Sequence, residues 1–158
     1  MKIIVLSQGQ IAKVSDRDYA ELNHWKWCAH KRDNTFYAVR NVYTSSGKQV
    51  TAYMHRVILN LMGYRTKGDH KDGDGLNNQR SNLRPATDSQ SMMNRGLSKN
   101  NTSGVRGVTW DKAHGAWLAQ IGIKGKHINL GRFKRLTQAA KCRHKAEVKY
   151  HGKFRRKA

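Results

Sequence analysis

Acidic residues are scarce in this chain: ten Asp and Glu stand against 31 Lys and Arg in 158 residues, a formal net charge of +21. Cysteine is nearly absent. Cys28 and Cys142 lie far apart with no partner at zinc-ligand spacing, which excludes a cysteine zinc site within one chain and a disulfide scaffold. Long hydrophobic runs are missing too. None approaches the roughly 20 residues that cross a bilayer, so no membrane is expected as partner. The opening MKIIVLSQGQ carries one Lys and a short apolar stretch, too brief for a secretory signal. Two reduced thiols in a cytoplasmic setting are expected. Proline occurs once, at Pro85, so little of the chain is barred from regular structure. Four Trp, six Tyr and three Phe supply core material that a disordered polycation lacks.

The charge points to a polyanion, with nucleic acid first among the candidates. Residues 1–103 hold 16 basic and 8 acidic side chains, whereas residues 104–158 hold 15 and 2. The last third is therefore the more cationic piece. The bland alternative is a nucleoid- or RNA-coating protein that binds any duplex through its phosphates.

KIIVL and QIAKV flank Ser-Gln-Gly-Gln, a hairpin pattern with Gly9 in the turn. Ser15 reads as the N-cap of a short helix, DRDYAELNH, with Asp16 and Asp18 in its first turn. WKWCAHK, FYAVRNVY and KQVTAYM are strand-like runs, separated by turns at residues 32–34 and 45–48. Residues 55–62 have helical spacing and stop at Gly63. Residues 68–84 are rich in Gly, Asn and Asp, which argues against a helix there, and residues 87–95 resume as one. Residues 96–103 read as a small polar linker. Beyond it, residues 105–110, 116–124 and 127–133 are three strand candidates. Residues 136–150 form a helix with Leu136, Ala139, Ala140, Ala146 and Tyr150 near one side, and KFRRKA is a basic tail.

Hydrolysis of a phosphodiester needs a base for water and a cation for the charge that develops on the phosphate. Asp69 and His70 are neighbours, so on an extended segment they point to opposite sides. A neutral imidazole accepts a proton near physiological pH, and a hard cation takes a carboxylate and neutral oxygens. Asn77, Asn78 and Asn82 follow in the same loop. DGDG could also open a calcium loop, but no Glu occurs from Asp72 to Arg95 to complete it. Taken alone, an Asp-His dipeptide arises by chance in many chains, and DGDG also reads as an ordinary turn.

MHRVIL followed by DHKDGDGLNNQRSNLRPATDSQ resembles the HNH homing-endonuclease family of phage and mobile introns. The resemblance spans residues 1–95 and is most specific over 68–95. It implies a ββα-metal fold, in which two strands, the loop between them and a helix clasp one divalent ion. Mg²⁺ is the first candidate, with Mn²⁺ or another divalent ion in its place. Asp69 would ligate the metal, His70 would be the general base and Asn82 would hold the loop and orient the base. His55 sits in the family's His-Arg pair, as a structural residue or a substrate contact. The third motif position holds Ser91 where the family carries Asn or His. A hydroxyl is a weaker neutral ligand than an amide oxygen or imidazole, and Asn94, one turn on, could replace it.

In the cationic third, strand alternation leaves a polar face expected to carry Arg106, Thr109, Gln120, Lys124, His127 and Asn129. A ribbon of this kind fits the major groove, where Arg reads guanine and Gln or Asn reads adenine. Parity puts Trp117 on the buried face and leaves Trp110 undecided between packing and base stacking. SGVRGVTWDKAHGAWLAQIGIKGKHINLGRF with AAKCRHKAEVKYHG also resembles the APETALA-type, ethylene-response-factor DNA-binding domain. That resemblance implies a sheet in the major groove. Thr109, Asp111 and Gly122 stand where the plant domain carries Arg, so its target does not transfer.

Together these readings give an α+β chain. Residues 1–95 are a ββα-metal nuclease domain, 96–103 a linker, 104–152 a three-stranded antiparallel sheet packed on one helix, and 153–158 a basic tail. The expected activity is site-specific, metal-dependent cleavage of double-stranded DNA, in the host-cell cytosol if the protein is phage-encoded. A single site nicks, and a double-strand break needs a dimer or two visits. The alternative is an HNH protein weakened at Ser91 that binds DNA without cutting it.

Overall fold

The computed structural model describes residues 1–32, 34–61, 63 and 65–156. The centre of the turn expected at 32–34, the end of the helix expected at 55–62 and the tip of the basic tail lie outside these residues. The chain divides into two compact units, Met1–Asp88 and Ser89–Ala158. Both mix helices with small sheets. Among the described residues no helix is long and apolar enough to cross a membrane.

In the first unit, β1 (Lys2–Val5) and β2 (Ile11–Val14) pair antiparallel, with Lys2 opposite Val14. Gln8 and Gly9 at positive φ make the turn between them. Ser15 is the N-cap of α1 (Asp16–Asn23), but its hydroxyl does not cap the helix. It accepts the backbone N–H of Arg80 instead, at 2.9 Å. The Arg80 guanidinium in turn grips Asp18, with Nε 2.9 Å from both carboxylate oxygens. The Asn-rich loop is thereby tied to α1.

The second sheet, β3 (Cys28–Arg32), β4 (Thr35–Tyr43) and β5 (Gln49–Tyr53), is an antiparallel meander. α2 (Met54–Ile58) follows it directly and is shorter than the periodicity suggested. Ile4, Leu6, Ala12, Val14, Leu22, Trp27, Ala29, Ala38, Met54, Ile58 and Leu83 form one buried cluster. The core thus draws on both sheets, both helices and the strand that closes the loop. That loop is a hairpin: β6 (Lys67–His70) pairs antiparallel with β8 (Leu83–Ala86), and β7 (Asn77–Asn78) adds in parallel beside β2.

α3 (Asp88–Met93) runs across the boundary between the units. In the second unit β9 (Val108–Asp111), β10 (Ala116–Ile123) and β11 (Lys126–Phe133) form an antiparallel sheet in the order β11–β10–β9. α4 (Leu136–His151) packs on it around Val108, Ala119 and Ala139. Two sequence expectations fail here. Ser103, at the end of the expected linker, is buried and donates to the carbonyl of Val108 at 2.7 Å, so it belongs to the folded unit. The buried side of α4 carries Ala139, Arg143, Ala146 and His151, while Tyr150 turns outward. The basic tail also begins in ordered structure, a 3-10 turn over Gly152–Phe154 that buries Phe154.

Candidate functional site

β6 places Asp69 and His70 side by side on a strand, so their side chains leave on opposite faces. The register then decides what each meets. Asp69 lies opposite Arg84 on β8, and their side chains pair. Nε and Nη2 of Arg84 both stand 2.7 Å from Oδ2 of Asp69. Both groups are largely buried, with Asp69 only 7% exposed. Neither Arg84 nor its pairing was visible in the motif spacing. The hairpin register was needed to put residues fifteen apart in contact.

His70 is 5% exposed and faces an aromatic wall. Its ring centroid is 4.9 Å from that of His55, edge-on, and 5.8 Å from that of Tyr37. His55 also lies against Tyr37 and Tyr53. Gly68 makes this possible, because a Cβ there would stand 2.3 Å from Cδ2 of His55. Burial lowers the pKa of His70, against the opposing pull of Asn78 and of Asp72, Asp69 and Asp74. His55 is lowered to about 3, by burial first and then by the charges of His70 and Arg56. Both rings are therefore neutral near pH 7. The structural option left open for His55 is where the geometry puts it, inside the wall.

The tautomer of His70 follows from Asn78. The Asn78 amide nitrogen donates to the carbonyls of Gly75 (3.4 Å) and Leu76 (3.2 Å), which turns its oxygen toward Nε2 of His70 at 3.2 Å. Nε2 must then carry the hydrogen, leaving the basic lone pair on Nδ1. Asn78 is fully buried and its role was missed in the sequence. It was one of three asparagines in the loop, and only the fold selects it.

Asn82 does hold the loop. Its amide donates to Oδ1 of Asp72 at 2.9 Å and to the carbonyl of Asn77 at 2.8 Å, and its oxygen accepts the N–H of Asp72 at 3.1 Å. It makes no described hydrogen bond to His70, whose orientation is set by Asn78 instead. Asp72 also accepts the amide of Asn77 and the backbone N–H of Asp74. Burial works to raise the Asp72 pKa, but these hydrogen bonds outweigh it and bring it below the usual value. Gly75 lets the loop pass within reach of β4, since a Cβ there would lie 2.4 Å from the carbonyl of Phe36.

Ser91 lies on α3 and Asn94 just after it, both in the second unit. Asn94 is buried, and its N–H donates to the carbonyl of Ser91.

Oxygen donors of the Asp69 kind suit a hard divalent ion. The arrangement does not fit one, because the carboxylate is already neutralised by Arg84. Among the described residues no group of three His, Cys, Asp or Glu converges on a point that could hold a metal.

In the second unit the sheet face away from α4 carries Gln120, opposite Asn129, and His127, opposite Gly122. Thr109 lies opposite Leu118, as does Arg132 from the other side. Arg132, which sequence reasoning passed over, joins this face after a bulge at Leu130 restores the alternation, and its Nε contacts Asp111 at 2.8 Å. Asn129 spends its side-chain oxygen on the N–H of Gly131. Lys124 sits exposed in the following turn, at φ +47°. Arg106 is the exception among the expected six. Its guanidinium donates to the carbonyls of Met92, Met93 and Arg95, closing the C-terminus of α3 where a positive charge is favoured. It is an internal strut and leaves the polar face. Trp117 packs on the core as expected. Trp110, 44% exposed, lies on the same face with its ring edge-on to Trp117 at 5.1 Å.

No family model matches the chain, and no solved structure matches it. Over 88 residues it is 33% identical to Protein 3.8 of Escherichia phage T7, covering 56% of this chain and 72% of that protein.

Proposed function

We propose that this chain, a member of the family of Protein 3.8 of Escherichia phage T7, is an HNH-type, site-specific endonuclease acting on double-stranded DNA. The observation that carries this reading is the state of His70. A buried imidazole is kept neutral, and one nitrogen is pinned by Asn78 so that the basic lone pair rests on Nδ1. A solvated structural histidine needs neither feature. A general base needs both.

In the proposed reaction Nδ1 of His70 takes a proton from water. The water oxygen forms a bond to phosphorus as the bond to the departing deoxyribose oxygen breaks, and that oxygen leaves with a proton from solvent. Asn78 holds the imidazole in the reactive tautomer. Asn82 and Asp72 keep the loop in shape, so the base need not reorganise during the reaction. The outward face of the second unit, with Gln120, Asn129, His127, Thr109 and Arg132, would hold the duplex. Its side chains are of the types that read base edges.

A second reading is favoured by the Arg84–Asp69 pair together with Ser91. It is a sequence-specific DNA-binding protein whose cleavage site has lapsed. Supercoiled plasmid with Mg²⁺ separates the two. The nuclease reading expects relaxed circles from wild type and none from His70→Ala, with duplex affinity unchanged within about twofold. Intact plasmid with wild type, under conditions where the duplex is bound, would leave the binding protein alone standing.

A further inference from the structure

The second unit presents two opposite sides to a polyanion. One is the sheet face turned away from α4. The other is the outer side of α4 itself, where Lys141, Lys145 and Lys149 are exposed at intervals of four and form a row along the helix. The side that packs on the sheet carries Ala139, Arg143 and Ala146. Lys134 and Arg132, just before the helix, line one groove with Lys141 and Lys145 beside the edge strand β11.

No acid answers this row. From Ser89 to Ala158 the acidic side chains are Asp111 and Glu147. Asp111 is held by His114 at 2.9 Å and Arg132 at 2.8 Å, and Glu147 pairs with the buried Arg143 at 3.0 Å. Among the described residues Lys134, Lys141, Lys145 and Lys149 meet no carboxylate. Like charges four residues apart oppose the helix that carries them. A polyanion laid along the row relieves that repulsion and releases its own counterions. Lysine offers a point charge rather than a fork, so the row suits the phosphates of any duplex.

A duplex on the sheet face does not reach the row. α4 stands between them, about 10–12 Å across with its side chains. Double-stranded DNA has a persistence length of about 150 base pairs, so a short duplex cannot turn back around the unit.

We infer that the outer side of α4 is a second DNA surface, by which one chain holds two duplex segments together. The inference rests on the proposed reading of the sheet face as a duplex-binding surface and is independent of cleavage. The second segment is held through its phosphates, without preference for sequence.

The test uses the full chain in EDTA, which keeps the DNA intact, with random-sequence duplexes of about 15 base pairs, too short to wrap the unit. Energy transfer between donor- and acceptor-labelled duplexes reports bridging, and sedimentation equilibrium in duplex excess counts the components. The expected complex is one chain with two duplexes. The double variant Lys141→Glu, Lys145→Glu should take one duplex and lose the energy transfer. Lys141→Gln with Lys145→Gln should weaken the second binding step about tenfold and lower its log–log salt slope by about 2. Lys124→Glu with His127→Glu, on the other side, should keep only the duplex on α4.

The substituted side chains are exposed, and unfolding curves check that each variant is folded. One duplex per wild-type chain overturns the inference, even if the α4 variants weaken it, because a single DNA then wraps the edge of β11. Two duplexes joined only by two chains overturn it as well, as does a second duplex that the folded α4 variants keep undiminished. If the sheet variant still takes two duplexes, the reading of the sheet face fails, while loss of one from the α4 variant upholds the surface on the helix. Plasmid nicking by wild type is separate from all of these outcomes.

Discussion

The imidazole of His55 packs against His70, Tyr37 and Tyr53, and burial holds its pKa at about 3. In the unfolded chain it titrates near 6.5, so below that value the unfolded state takes up a proton that the native state refuses. Stability is therefore fully present above about pH 6.5 and is lost as the pH falls toward 3. At pH 4.5 the loss from this one group amounts to about 2–3 kcal/mol. Unfolding midpoints measured from pH 7.5 to 4.5 should fall steeply for wild type and distinctly less for His55→Phe, which keeps a ring but has no proton to take. Asn78 governs the other imidazole. Asn78→Asp places a carboxylate on Nε2, favours the protonated ring and raises its pKa. The acid limb of the nicking rate against pH should move up by about one unit or more. An unmoved profile would remove His70 as the base.

The hairpin of β6 and β8 is the element on which the site depends, and the loop between them is held mainly by side chains. Asn82 alone makes three of its hydrogen bonds. Asn82→Ala should lower stability by about 2 kcal/mol, since buried polar partners would lose their mates. Nicking should drop by tenfold or more while duplex affinity stays within about twofold; denaturant unfolding and plasmid assays check each half. Equal loss of affinity and nicking would mean that the loop is part of the binding surface. Much of this element was legible beforehand. The Gly-, Asn- and Asp-rich composition ruled out a helix, and the adjacency of Asp69 and His70 fixed their opposite directions on a strand. The sequence did not show which asparagine serves the base. Asn77, Asn78 and Asn82 are chemically alike, and only Asn78 is carried inward by the short β7 pairing with β2. Arg106 was misread for a related reason. Its side chain reaches back to the end of α3, a contact that strand alternation cannot reveal.

At the scale of the molecule the charge is unevenly shared. Residues 104–158 carry 15 basic side chains against Asp111 and Glu147. The outward face of the second sheet and its turn should therefore bind phosphates with release of counterions. A full-length protein that contacts six to eight phosphates should show a log–log slope of affinity against salt of about −5 to −7. Titrations at several salt concentrations measure it. Competition by unrelated duplex then separates a site-specific protein, expected to prefer its own site by about a thousandfold or more, from a coating protein with little preference.

Composition by itself settled the strongly cationic character and the absence of any cysteine zinc site or long apolar span, because these are sums over residues that no folding alters. Local pattern located β1 to β5, β9 to β11 and the short helices, since alternation, turn residues and caps act within a few positions, but it left the strands β6 to β8 inside a loop. The tertiary structure decided which groups meet: Arg84 on Asp69, Asn78 on His70, His55 against the same ring and Arg106 on α3. Those contacts depend on register and on buried surroundings. Both are properties of chain segments brought together from a distance, so no local reading could supply them.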